Sequence, residues 1–123
     1  MGHAVLVIDD DRDDQVALRA TLESQGHEVS SAQDCAEALR LLLRRDFDLL
    51  VLDMSLPGAS GLETAGLIRD SPRFHETPIV FLSGYDEEYV RGMPGWPSEP
   101  VAYLRKPASA ESLAATVTTM LGA

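Results

Sequence analysis

Leu49-Leu50-Val51-Leu52 is wholly apolar and stops abruptly at Asp53. Alternation would mark a strand with one wet face, whereas an unbroken run marks one buried on both, as inside a parallel sheet. Ile79-Val80-Phe81-Leu82 repeats the pattern and stops at Ser83, and Ala4-Val5-Leu6-Val7-Ile8 runs into Asp9-Asp10-Asp11. Parallel neighbours need long crossovers, and the segments between these runs have helical length and spacing. The chain is thereby constrained to the α/β class, with helices covering both faces of a parallel sheet. Right-handed crossovers leave only a few topologies.

The remaining elements fall between these runs. Asp11 or a neighbour caps a first helix, with Asp13 and Asp14 in its first turn and apolar pairs Leu18/Leu22 and Val16/Ala20. Gly26 stops it. His27 to Ala32 is polar for a strand, which suits a sheet edge. Asp34 and Glu37 open a second helix, running to about Arg45, with Leu39, Leu42 and Leu43 on its buried side. Ser60 and Glu63 have capping-box spacing before Leu62, Ala65 and Ile68, and Pro72 ends that helix. A brief helix covers Asp86 to Arg91. Gly92-Met93-Pro94-Gly95-Trp96-Pro97-Ser98-Glu99-Pro100 cannot be a regular helix, because proline lacks an amide donor and clashes with the preceding turn. Trp96 either fills space under this loop or, if exposed, offers a docking surface. Val101 to Leu104 is a fifth strand, and Ser109 caps a last helix carrying Leu113, Val117, Met120 and Leu121.

At 123 residues, one domain spanning 1–123 is expected. A net charge of −10, with no run among ten basic residues, excludes a phosphate-binding stripe and makes direct nucleic-acid binding a poor prospect. No apolar run approaches the roughly 18 to 20 residues of a membrane span. The single Cys35 excludes an internal disulfide. With a strand starting almost at once, no room is left for a targeting segment, so a cytoplasmic protein is expected. His3, His27 and His75 show no metal-ligand spacing and read as surface residues.

The polar residues that end the apolar strands carry the chemistry: Asp9 and Asp10, Asp53, Ser83 and Lys106. At one edge of one parallel sheet they converge, where open α/β sheets place their sites. Carboxylates this close resist ionising together unless a cation binds them. Mg²⁺ suits them, taking hard oxygen ligands while keeping several waters. Asp10 and Asp53 supply oxygens directly, and Asp9 does so through water. The Ser83 hydroxyl and the Lys106 ammonium can then hold phosphoryl oxygens as charge shifts, with Asp53 as acceptor. Asp13 and Asp14 read as surface acids compensating the helix dipole.

In Val7-Ile8-Asp9-Asp10-Asp11, Leu52-Asp53-Met54-Ser55-Leu56-Pro57-Gly58 with Gly61, Leu82-Ser83-Gly84, and Tyr103-Leu104-Arg105-Lys106-Pro107, the sequence resembles the response-regulator receiver domain of two-component signalling. The resemblance covers essentially the whole chain. It implies a flavodoxin-like (βα)₅ three-layer sandwich with strand order 2-1-3-4-5, an order for which a receiver is a standard example. It further implies that Asp53 is the phosphoacceptor and that Asp9, Asp10, Asp53 and the Ser55 backbone carbonyl hold Mg²⁺. Lys106 would contact the phosphate, Ser83 and Tyr103 would form a switch pair, and the Lys106–Pro107 bond would be cis. Gly84 would leave room for phosphoryl entry. The implied partners are a histidine kinase or phosphotransfer protein as donor and a protein downstream.

Two departures stand out. The Gly/Pro segment shortens or remodels the fourth helix, as in receivers attached to hybrid sensor kinases, and Ala108 replaces a common phenylalanine. Three rival functions fit less well. An FMN binder needs a phosphate-friendly first loop, but here three aspartates stand in a row. A phosphohydrolase of the haloacid dehalogenase kind needs a general acid two residues after its nucleophile, where this chain has Ser55. A phosphorylation-independent adaptor would have no use for the intact Asp, Ser and Lys set.

Overall fold

The two unbroken apolar runs are the centre of the sheet. In a computed structural model describing residues 2–122, all five residues of β3 (Leu49–Asp53) and of β4 (Ile79–Ser83) are buried. β1 (Ala4–Ile8), β2 (Glu28–Ala32) and β5 (Val101–Arg105) complete a parallel sheet of order β2-β1-β3-β4-β5. The polar β2 lies at one edge, as its composition requires. Five helices cross between the strands: α1 (Arg12–Ser24), α2 (Cys35–Arg44), α3 (Gly61–Arg69), α4 (Glu87–Arg91) and α5 (Ala110–Leu121).

Strand period two divides the core into two layers. Leu6, Ile8, Leu50, Leu52, Ile79 and Phe81 face Ala38 and Leu42 of α2 and Ala65 and Ile68 of α3. Val5, Val7, Leu49, Val51, Val80 and Leu82 face Leu22 of α1 and Leu113 and Val117 of α5. Asp11, Asp34, Ser60 and Ser109 each accept a backbone N–H at their helix N-terminus, and Ser60 with Glu63 makes a full capping box. Among the described residues, no helix is long and apolar enough to cross a membrane.

Some side chains face other ways than their spacing suggests. On α1, Leu22 is buried and Leu18 partly so, but Val16 is 63% exposed and Ala20 is also exposed. On α2 the inward stripe is Cys35, Ala38 and Leu42. Leu43, one step or about 100° further round, is 81% exposed rather than buried. His3 and His27 are half-buried against each other, the His3 backbone N–H donating to His27 Nδ1 at 3.1 Å.

α4 is short, with five residues, and the Gly/Pro segment after it is held by distant partners. Trp96 is half-buried with its ring 5.2 Å from that of Phe81 and 6.4 Å from that of Tyr103, and the Arg91 guanidinium lies over its face. It fills space rather than standing out. From α3, the buried Arg69 donates to the carbonyls of Ser98 at 2.9 Å, Phe74 at 3.0 Å, Thr77 at 2.6 Å and Pro100 at 2.8 Å.

Candidate functional site

Parallel strands all end at the same edge, so β1, β3, β4 and β5 deliver their last residues to one place. Asp9, Asp53 and Ser83 are buried there, with Asp10 exposed beside them. One carboxylate oxygen from each of Asp9, Asp10 and Asp53 lies within 4.8 Å of the other two. Asp9 Oδ1 accepts the Asp11 N–H at 2.9 Å, while its buried Oδ2 has no hydrogen-bond partner. Asp53 Oδ1 accepts the Ser55 N–H at 3.0 Å, and its Oδ2 takes the Lys106 ammonium at 3.1 Å.

Backbone bonds beyond the strand ends hold this arrangement. The Lys106 N–H donates to the Ser83 carbonyl at 2.7 Å, and the Met54 N–H donates to that of Leu82 at 2.9 Å. The Lys106–Pro107 peptide is cis. Gly61 brings α3 against the β3 end: a Cβ there would sit 2.6 Å from both the Asp53 carbonyl oxygen and Met54 Cα, so only glycine fits. At Gly84 a Cβ would meet nothing within 4 Å, leaving the space beside Ser83 open.

The charges are unbalanced. Burial, above all, pushes the Asp9 carboxyl up to about 6; the Asp11 N–H and Lys106 oppose this, and the charges of Asp53 and Asp14 add to it. Burial pulls Lys106 down, but the hydrogen bond to Asp53 and the charges of Asp53, Asp9 and Asp14 outweigh it and hold the ammonium above the usual lysine range. One ammonium thus faces several carboxylates. An orphaned carboxylate oxygen beside two more oxygen donors fits a small hard dication.

Two neighbours escape a reading of the sequence. Asp14 is not merely a dipole-compensating surface acid, for its Oδ2 is 3.5 Å from Lys106 Nζ. Its place in the first turn of the helix leaving β1 is the available signal. The Gln15 side-chain amide donates to the carbonyls of Asp9 and Ala32, tying the end of β1 to that of β2. Further out, the Tyr85 N–H donates to Ser83 Oγ at 3.1 Å, and the Tyr103 hydroxyl donates to the Tyr85 carbonyl. Ser83 and Tyr103 are therefore joined through one residue's backbone. Ser55 is exposed in the loop after β3, with its N–H on Asp53.

Known proteins share this architecture. The phosphate regulon transcriptional regulatory protein PhoB of Rhizobium meliloti (strain 1021) is 37% identical over 119 residues, 95% of this chain and 51% of its own length. The chain spans about half the length of most curated relatives it matches. The chemotaxis response regulator CheY4 of Vibrio cholerae superposes with a TM-score of 0.87 at 27% identity, covering 98% of this chain and 99% of that one. The receiver domain of the sensor histidine kinase PA1611 of Pseudomonas aeruginosa PAO1, solved with a magnesium ion coordinated in its active site cleft, shares the fold with a TM-score of 0.88 at 24% identity, each chain covered in full. The family model described as response regulator receiver domain matches residues 5–118. On the strength of that match and of these strand ends, the chain belongs to the response regulator receiver domain family.

Proposed function

We propose that this receiver takes a phosphoryl group from a phosphohistidine partner onto Asp53 and relays it as a change of shape. The observation that supports this most is the buried Asp53 carboxylate held between the Lys106 ammonium and two further acids, with the three carboxylates and the ammonium gathered at strand ends. Asp9, Asp10, Asp53 and the Ser55 backbone carbonyl would hold Mg²⁺, which when bound neutralises charge on the transferring phosphoryl oxygens.

An Asp53 carboxylate oxygen attacks phosphorus in line with the bond to the partner's imidazole nitrogen. The new O–P bond forms as the N–P bond breaks, and the electron pair leaves with the imidazole, which then takes a proton. Lys106, already on Asp53 Oδ2, is placed to follow the charge onto the phosphoryl oxygens. Ser83 Oγ reaches the same oxygens by leaving the Tyr85 N–H. Because the Tyr85 carbonyl also carries the Tyr103 hydroxyl, that step alters the seat of the Tyr103 ring. A downstream protein then reads the altered β4–β5 surface. On this reading the protein works in the cytoplasm as a signalling receiver that catalyses only its own phosphorylation and dephosphorylation.

Acetyl phosphate with Mg²⁺ should add the mass of one phosphoryl group to the protein. Asp53→Asn should add none, and chelation of Mg²⁺ should stop the uptake in the wild type. Equal labelling of the Asp53→Asn protein would move the acceptor elsewhere.

A further inference from the structure

α2 and α3 lie side by side over one face of the sheet, and between them runs a groove of about 340 Å³. Leu39, Leu42 and Leu43 form one wall, Leu67 and Ile68 the other, and Phe74 closes one part of it with Arg73, whose charge is answered by Asp46 at 2.6 Å. Its two lips are exposed: Leu43 at 81% and Leu67 at 51%. Large aliphatic side chains this open, on adjacent helices, make a contiguous apolar surface that water covers poorly.

The charges outside the lips have opposite signs. At about 100° per residue, Arg40 and Arg44 lie on the α2 surface just beyond Leu43, on the side away from the groove. Glu63 and Asp70 lie in the same relation to Leu67 on α3. Arg40 and Arg44 make no ion pair among the described residues, and neither does Asp70. From the far side of α2 to the far side of α3 the order is therefore basic, apolar, apolar, acidic, with the Arg73–Asp46 pair adding no net charge. Both helices follow parallel strands, so they run in the same direction.

Such a patch is complementary to itself. A two-fold axis along the groove sets α2 of one copy over α3 of the other, bringing Leu43 to Leu67 and the arginines to the acids. An axis across the groove would instead set α2 over α2 and oppose like charges. We propose that the α2–α3 face is a contact surface between two copies of this chain, related by the two-fold axis along the groove. Leu43 and Arg44 end α2, at the sheet edge away from Asp53, so pairing leaves the candidate site open. Pairing through this face does not depend on phosphoryl chemistry at Asp53.

The test is sedimentation equilibrium of the full chain over a concentration series at physiological salt, where screening within about 8 Å weakens the long-range repulsion between two acidic molecules. Wild type should form a reversible dimer. Leu43→Glu and Leu67→Glu, both at exposed positions, should each raise the dissociation constant at least about tenfold. Arg44→Glu and Asp70→Arg should each weaken the dimer several-fold, and the double reversal should recover most of the loss. A wild type that stays monomeric throughout overturns the proposal and leaves the groove to a different occupant. A dimer indifferent to Leu43→Glu overturns it by placing the contact on another face. A double reversal no better than the single ones overturns the pairing of α2 with α3.

Discussion

The two sides of the sheet hold their crossings by different means. Beside β2, β1 and β3, helices of 13, 10 and 9 residues each start at a side-chain cap, and local sequence accounts for each one. Beside β4 and β5, α4 has five residues, its N-cap Asp86 makes no side-chain capping bond, and the chain after it contains a cis Glu99–Pro100 bond. That side is ordered by long-range partners: Arg69 from α3, and Trp96 set on Phe81 and Tyr103. The acids sit on the first side and on the β3 end. The residues proposed to relay a signal, Ser83, Tyr85 and Tyr103, sit on the second. A carboxylate cluster needs fixed geometry, whereas a relay needs a region whose contacts can be exchanged as a set.

The comparison breaks most visibly if uptake of the phosphoryl group depends on the second side as much as on the first. Asp53→Asn should abolish labelling by acetyl phosphate. Lys106→Ala removes one charged donor and should slow it by roughly 100-fold, the usual scale for such a group. Trp96→Ala, which takes a ring away from Phe81 and Tyr103 but touches none of the strand-end acids, should label at close to the wild-type rate, measured by mass over time.

Next in size is the anchor of the second side. Arg69→Met keeps the bulk of the side chain but removes four charge-assisted hydrogen bonds; the Phe74 and Pro100 carbonyls keep the N–H groups of Thr77 and Ile79, while those of Ser98 and Thr77 lose their donor. Hydrogen bonds to a charged group are worth about 1.5–3 kcal/mol, and several are lost at once. We expect a destabilisation of about 3 kcal/mol in urea titration, with faster amide exchange at Ile79 and Val101, whose N–H groups bond to Pro100 and Glu99. Arg73 is the contrast: it pairs with Asp46 at 2.6 Å, but the side chains are 42% and 83% exposed. Arg73 also donates to the Leu42 carbonyl at 2.9 Å, so Arg73→Met should cost about 1–2 kcal/mol, one ordinary hydrogen bond beyond an exposed pair. Equal losses at the two arginines would mean that the Gly/Pro segment does not depend on its long-range anchor.

The same division decides what is legible in the chain. Asp53 and Asp9 stand out because several apolar strands end in polar residues, and parallel order then forces those strand ends together. Ser60 and Glu63 stand out because a capping box is a local device. Arg69 does not, since an arginine in a last helical turn looks like any dipole-compensating surface cation until four carbonyls, two from the loop that follows it and two from the distant Gly/Pro segment, surround it. Asp14 is hidden for a related reason: its spacing is that of a surface acid, and only the tertiary placement of Lys106 gives it a partner. Leu43 is misread as buried because a run of three leucines cannot all face inward on a helix, and the run itself does not say which is left out.

A smaller effect should appear on the first side with pH. Without metal, Asp9 in the folded chain titrates at about 6, against an ordinary value of 3.8, chiefly because it is buried. Between those values the folded state holds a proton that the unfolded chain has released. Stability should therefore fall as pH rises through that window and level off above it. Asp9→Asn should remove this slope, and Mg²⁺ should flatten it, since bound metal favours the ionised carboxylate. Urea midpoints taken across the window check both, and a slope that survives Asp9→Asn would assign it to another group.

The smallest expected effect is at Tyr85, and it sharpens the distinction within one residue. The Tyr85 backbone joins Ser83 to Tyr103 and stays in place whatever its side chain. The ring is 58% exposed, with its centroid 5.7 Å from that of Tyr89 on α4. If that ring screens the phosphoryl group from attacking water, Tyr85→Ala should speed dephosphorylation a few-fold and leave uptake unchanged. Tyr89→Ala would then raise the rate less, by freeing the Tyr85 ring without deleting it. An unchanged lifetime in Tyr85→Ala would mean that the ring rests on α4 throughout. Tyr85 would then contribute to the relay through its peptide groups alone.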